Sequence, residues 1–341
     1  MNSIHRKTIL EVGILLKTQQ NFVIFGHVNP DGDAIGSTLA LYHYLKSKEY
    51  NVFVIMPNDF PDFLKFLPLS SDIIIYEKQK KEAEKIIKET SLSFYCDFNE
   101  PKRLGNLSEL EIKLDSIKVL IDHHPQPSKF VDYSISDTSV SSTSELIYEF
   151  ISQVENSATV LKEIAECLMA GIITDTGLFH HNSSNPRTFE IIANLIKSGA
   201  DKDLIINQIY NTYSYDRMKL LGSSLFNWMR VLPEYGSAYI YLSKEVLKKY
   251  KYQIGDTEGL VNYPLSISGI NFSALFVEHD DYVKVSLRSK NSFDTNLFAR
   301  EHYKGGGHIN ASGGKSFVSL SETTKLFTKL LSKYKSEIIE Q

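Results

Sequence analysis

Short apolar runs alternate with amphipathic stretches along the first third of the chain, and this alternation narrows the available folds more than any other feature. The runs at 21–25, 51–56, 73–76, 92–96 and 117–121 have the length and apolar character of strands buried on both faces. The stretches at 34–46 and 79–89 carry helical periodicity instead. Strands that alternate with helices build a parallel sheet covered on both sides. The expected fold class is therefore α/β, with a doubly wound parallel-sheet domain at the amino end.

Three of these strands run directly into polar residues: Phe25 into Gly26-His27, Cys96 into Asp97, and Ile121 into Asp122-His123-His124. Ligands of open α/β sheets bind just beyond the carboxyl ends of the strands, so these residues should converge on one edge. A helical pair at 142–152 and 160–173 leads into Thr174-Asp175-Thr176-Gly177 and can bring Asp175 to the same edge. From 186 to 232 the pattern turns helical, with turn signals at Ser198-Gly199 and Thr212-Tyr213-Ser214. Beyond it, 237–242, 272–278 and 282–288 alternate like strands, and Gly305-Gly306-Gly307-His308 precedes a closing helix at 321–334. The expected organisation is a catalytic domain over 1–190, a helical connector over 191–232 and a smaller α/β domain over 233–341.

With 341 residues, 42% hydrophobic and 23% charged, the chain can bury two separate cores. A formal charge of −4 supplies no global positive field, so long duplex nucleic acid is not an expected partner. Cys96 and Cys167 are too few for a disulfide framework and lack the paired spacing of a zinc or redox site. No uninterrupted apolar run reaches the length of a membrane span. A cytoplasmic protein with no membrane partner is the expectation.

The polar edge has the chemistry of a metal centre. His27-Val28-Asn29-Pro30-Asp31-Gly32-Asp33 places an imidazole and two carboxylates in a turn after a hydrophobic strand. Taken alone this is a surface turn, because Asn-Pro and Asp-Gly are common turn dipeptides, and Asp97 alone could cap a helix. The joint occurrence of Asp97, the tandem His123-His124 and Asp175 after separate apolar segments outweighs those readings. Carboxylates and imidazoles without thiolates suit Mn²⁺, Mg²⁺ or Fe²⁺ better than structural zinc. Two cations about 3.5–4 Å apart would share and deprotonate one water, giving a hydroxide nucleophile for phosphoester hydrolysis.

These motifs resemble those of the DHH phosphoesterases that carry an attached DHHA1 domain, and the likeness spans nearly the whole chain. His27 to Asp33 looks like the first motif of that family, Asp97 the second, Asp122-His123-His124 the third and Thr174-Asp175-Thr176-Gly177 the fourth; Gly305-Gly306-Gly307-His308-Ile309-Asn310-Ala311 looks like the DHHA1 signature. The resemblance implies two divalent ions, Mn²⁺ by preference. One would be held by His27, Asp31 and Asp97, the other by Asp33, Asp97, His123 and Asp175, with Asp97 between them. It also implies a catalytic His124 facing substrate, Asp122 orienting a histidine, and a DHHA1 domain that grips substrate. Glycines 305 to 307 would aim amides at an anion while His308 and Arg288 contact phosphate or base. Arg300 reads equally as a phosphate contact or a surface salt bridge.

The chain departs from many relatives at Lys304, where a fourth glycine is common, and at His180, where an arginine is common. His180-His181 has no carboxylate beside it in sequence, so a loop near the cleft is expected in preference to a third metal. Within the family, the resemblance points to bifunctional oligoribonuclease/pAp phosphatases. The expected substrates are short oligoribonucleotides (nanoRNA) or small phosphorylated nucleotides, and a homodimer is one assembly compatible with it. A linear or cyclic dinucleotide such as pApA or c-di-AMP is the nearest alternative. Pyrophosphate or polyphosphate hydrolysis and non-catalytic nucleotide sensing are more remote ones.

Overall fold

The computed structural model describes residues 3–108 and 115–339. The chain divides into two units, Met1–Thr212 and Tyr213–Gln341. In the first, α1 (Ser3–Leu16) precedes β1 (Asn21–Phe25), α2 (Gly32–Ser47), β2 (Asn51–Met56), β3 (Ile74–Ile75), α3 (Lys80–Lys88), β4 (Leu92–Cys96), β5 (Ile117–Asp122) and β6 (Tyr133–Ser136). Four helices follow: α4 (Thr143–Val154), α5 (Lys162–Asp175), α6 (Pro186–Lys197) and α7 (Lys202–Tyr210).

The six strands pair in the order β3-β2-β1-β4-β5-β6, and every pairing is parallel. Strand order reverses between β1 and β4, so the crevice of a doubly wound sheet lies where Phe25 and Cys96 end their strands. Apolar side chains fill both faces. Phe22, Ile24, Phe94 and Ile121 face one core, and Val23, Phe25, Tyr95 and Leu120 face the other. Strand β6 was not expected from the sequence; its four residues include three polar or aromatic positions and only Ile135 is buried, which gives a weak apolar signal.

Helices α2 and α5 approach so closely that glycine is required. A Cβ on Gly36 would lie 2.5 Å from the Cys167 carbonyl oxygen, and one on Gly171 would lie 2.0 Å from Ser144 Oγ and 2.8 Å from Asp33 Oδ1. This crossing makes room for a carboxylate at the start of α2. Cys96 and Cys167 are both buried free thiols.

In the second unit, α8 (Tyr215–Asn227), β7 (Met229–Leu232), β8 (Ser237–Leu242) and α9 (Lys244–Lys249) lead to β9 (Phe272–Glu278) and β10 (Val283–Ser289). There follow α10 (Thr295–His302), β11 (Gly306–Gly307), β12 (Ala311–Ser316), α11 (Leu320–Lys333) and α12 (Lys335–Ile339). The sheet runs β11-β12-β10-β9-β8-β7, antiparallel throughout except for β8 with β9. Phe272, Phe276, Phe298, Tyr303 and Phe327 form its aromatic core.

Residues 191–232, expected as a connector, are shared between the units: α7 and the last residues of α6, from 191 on, belong to the first, α8 and β7 to the second. The expectation of helix through 232 is corrected at 229–232. These residues pair antiparallel with 237–240, and Pro233 opens the turn between the strands. No helix among the described residues is long and apolar enough to cross a membrane.

Candidate metal centre

Each polar residue at the crevice is placed by the end of a regular element. Strand β1 delivers His27, which is buried, and its Nδ1 lies 2.9 Å from the Val28 carbonyl oxygen. A proton on Nδ1 donated to that carbonyl leaves Nε2 as the ligand nitrogen. Asp31 caps α2, with Oδ1 accepting from the amides of Asp33 and Ala34 at 3.1 and 3.0 Å. Oδ2 is then left to face His27.

Asp97 follows β4 in a left-handed conformation, φ 68°, with its amide donating to the Ile121 carbonyl at 3.1 Å. A non-glycine residue held there costs on the order of 1 kcal/mol, and the conformation turns the carboxylate into the crevice. His123 comes directly after β5 and is buried. Asp175 ends α5.

These side chains fall into two groups. His27 Nε2 lies 3.8 Å from Asp31 Oδ2 and 3.5 Å from Asp97 Oδ2. His123 Nε2 lies 4.0 Å from Asp33 Oδ2, 3.6 Å from Asp97 Oδ1 and 3.5 Å from Asp175 Oδ2. Such separations are too long for good hydrogen bonds, but they suit donors that each sit about 2.1 Å from a common cation. The two oxygens of Asp97 face different histidines. The donor set therefore fits two divalent ions with Asp97 between them.

The electrostatics lead to the same conclusion. Burial pushes the Asp33 carboxyl up to about 7, although donors from Ser144 and Thr143 favour its charge. Burial, then Asp33, Asp31 and Asp175, raise Asp97 well above the usual carboxylate range. Burial also opposes the charge of Asp31, but His27 and the Ala34 amide outweigh it and hold that carboxyl low. Burial and Arg103 lower His27 to about 4, and burial lowers His123. Carboxylates crowded to the point of holding protons beside neutral imidazoles are what cations at this spot would relieve.

Asp122 and His124 form a separate pair. His124 Nδ1 lies 2.8 Å from Asp122 Oδ1 and 3.7 Å from Asp97 Oδ1. Burial raises Asp122 to about 6; burial, with His123 and Arg103, drives His124 well below the usual imidazole range. The second histidine pair stands apart. His180 and His181 have ring centroids 6.4 Å apart, and no metal-capable group among the described residues includes either.

Two features were missed at the sequence level. Asp33 is gripped from the start of α4: the Thr143 amide donates to Oδ2 at 2.6 Å, while the Ser144 amide and hydroxyl donate to Oδ1 at 2.9 and 2.5 Å. The Thr143 hydroxyl donates to Asp97 Oδ1 at 2.9 Å. A run of Ser and Thr before a helix reads as a cap and gives no sign of partners more than 40 residues away. The other missed residue is Arg103, in the 3-10 turn Pro101–Leu107.

In the second unit, Arg288 lies opposite Ala311 in register, and its Nη1 donates to the Leu287 carbonyl at 2.9 Å. The expected amide cradle is corrected. The Gly305 amide donates to Ala299 O, Gly307 to Asn296 Oδ1 and His308 to Ala311 O, at 3.2, 3.1 and 2.8 Å. These donors are spent within the unit. A Cβ on Gly305 would lie 1.9 Å from the Gly313 carbonyl oxygen, so the glycine serves backbone packing there. Arg300 donates to Asn296 Oδ1 at 3.0 Å and makes no salt bridge among the described residues. Lys304 has φ 47°, a conformation that favours glycine, and its Nζ sits 4.8 Å over the Phe317 ring.

Comparison with known proteins decides the family. The profile of the DHH family N-terminal domain matches residues 21–172 and that of the DHHA1 domain matches 238–337. The bifunctional oligoribonuclease and PAP phosphatase NrnA of Bacillus subtilis is 31% identical over 311 residues, covering 90% of this chain and 93% of that protein. The chain belongs to the DHH family. A probable NrnA of Streptococcus mutans is 30% identical and covers 95% of the chain and 97% of its own length. The crystal structure of an exopolyphosphatase-related protein from Bacteroides fragilis superposes with TM-score 0.93 at 42% identity, covering 99% of both chains. As a DHH protein with a DHHA1 domain, the chain is a phosphoesterase.

Proposed function

We propose that this phosphoesterase depends on two Mn²⁺ ions and hydrolyses short oligoribonucleotides to mononucleotides and pAp to AMP in the cytoplasm. The observation that carries this reading is the pair of donor groups meeting at Asp97, on a chain similar to two NrnA proteins over more than nine-tenths of their length. His27, Asp31 and Asp97 would hold one ion, and Asp33, Asp97, His123 and Asp175 the other. When bound, the ions supply an ionised water and neutralise phosphate charge.

The protein's own groups do the rest. Asp122 accepts a hydrogen bond from His124 Nδ1 and fixes the ring, and Nε2 would donate to a phosphate oxygen or to the leaving oxygen once the ring is protonated, a form that a bound phosphate anion would favour over the neutral ring. Thr143 and Ser144 hold Asp97 and Asp33 in the orientation the ions need. The functional division is the one read from the sequence: 1–190 for chemistry, 191–232 as connector and 233–341 for substrate.

The charge distribution supports it. The first unit has 20 Lys and Arg against 28 Asp and Glu, and the second has 17 against 13. An anionic substrate would be attracted to the second unit, where Arg288 and His308 are its proposed contacts. The test is a Mn²⁺-dependent assay offering a diribonucleotide, pAp, c-di-AMP and pyrophosphate in parallel. Release of nucleoside monophosphate from the dinucleotide and of phosphate from pAp is expected. Release of phosphate from pyrophosphate alone would overturn the nucleotide assignment.

A further inference from the structure

We propose that Arg103 is a substrate-contacting residue that clamps a non-bridging phosphate oxygen on the His27 and His124 side of the centre. The proposal rests on the phosphoesterase reading above and adds to it a cationic group from the catalytic unit itself.

Backbone geometry fixes the position. Arg103 lies six residues beyond Asp97, and the Val28 amide donates to its carbonyl at 2.8 Å, tying the turn to the residue after His27. Its own amide donates to Glu100 O at 3.1 Å. Gly105, at φ 56°, kinks this turn, and its Cβ position lies 3.9 Å from Val28 Cγ2. The turn is thus packed against the strand end that carries a ligand.

The side chain is half-buried, yet among the described residues it makes no ion pair and no side-chain hydrogen bond. Its neighbour Lys102, by contrast, pairs with Glu100 at 2.7 Å. The backbone tie to Val28 and the packing of Gly105 against it put the Arg103 turn on the His27 side of the centre, and a positive charge there favours the carboxylates of Asp31 and Asp122.

A structural counter-ion would be expected to contact a carboxylate, and among the described residues this one does not. A third cation beside two divalent ions is repelled unless an anion lies between them. A bound phosphate is such an anion, and the planar guanidinium fork matches two of its oxygens.

The experiment compares wild type with Arg103→Ala, Arg103→Gln and Arg103→Lys by Mn²⁺ titration, thermal unfolding and steady-state hydrolysis of pApA. Bis(p-nitrophenyl) phosphate serves as a second substrate. The Ala and Gln variants should bind Mn²⁺ with wild-type stoichiometry while KM rises about tenfold to hundredfold, and Lys should recover part of the loss. Unchanged KM and kcat on both substrates would overturn the proposal. So would losses explained entirely by weakened Mn²⁺ binding. If wild type cleaves only the generic diester, the nucleotide reading fails while the Arg103 comparison is still made on that substrate.

Discussion

Asp97 is buried with carboxylate oxygens facing two histidines, and its orientation depends on a hydroxyl far away in sequence, that of Thr143. Thr143→Val removes this hydrogen bond with little change in volume. Calorimetric titration should show Mn²⁺ affinity lower by about tenfold to hundredfold, with Thr143→Ser close to wild type. A second prediction concerns protons. Asp33, pushed up to about 7 by burial, must lose its proton to bind a cation, whereas His27, lowered to about 4, is already neutral at pH 5. Mn²⁺ affinity should therefore fall about tenfold or more for each pH unit below 7. In the metal-free protein the raised Asp33 pKa gives stability that is lost as pH rises from about 4 through 7, so the Mn²⁺-induced gain in Tm should grow over that range. A gain that shrinks with rising pH would contradict the assignment. The residues that meet at the crevice were legible because each motif follows an apolar segment. Thr143, Ser144 and Arg103 were not, because their partners are set by tertiary contact.

At the scale of elements, register explains why the site forms. Phe25 pairs with Tyr95 and Cys96 with Ile121, so β1, β4 and β5 end at nearly the same level and their next residues meet. The sequence pattern shows these strands because they are uniformly apolar. It fails at β6 and β7, which are four residues long and only partly buried. It also passes over Gly171, whose role comes from the crossing of α5 with α2 and the start of α4. Gly171→Ala would press a methyl group against Ser144 Oγ and Asp33 Oδ1. Overpacking of this kind costs about 1–3 kcal/mol. Urea unfolding should register that loss, together with weaker Mn²⁺ binding. Wild-type stability with wild-type Mn²⁺ affinity would show that the contact is relieved by movement elsewhere.

For the whole molecule, the proposed division of work rests on a first unit with 20 Lys and Arg against 28 Asp and Glu and a second with 17 against 13. Alternating strands and the glycine segment made the second unit legible as α/β, but how the amides of Gly305, Gly307 and His308 are used was not, since their acceptors lie in α10 and β12. Arg288→Ala should raise KM for a dinucleotide about tenfold or more while Mn²⁺ content stays at the wild-type level, as read by steady-state kinetics and metal analysis. Loss of metal in that variant would count against the division. The central claim is most directly tested by the Mn²⁺ stoichiometry of wild type and Asp97→Ala, measured alongside dinucleotide hydrolysis. Two ions per chain in wild type, with loss of tight binding and of hydrolysis in the variant, is the predicted result; full hydrolysis by Asp97→Ala with two ions still bound would contradict it.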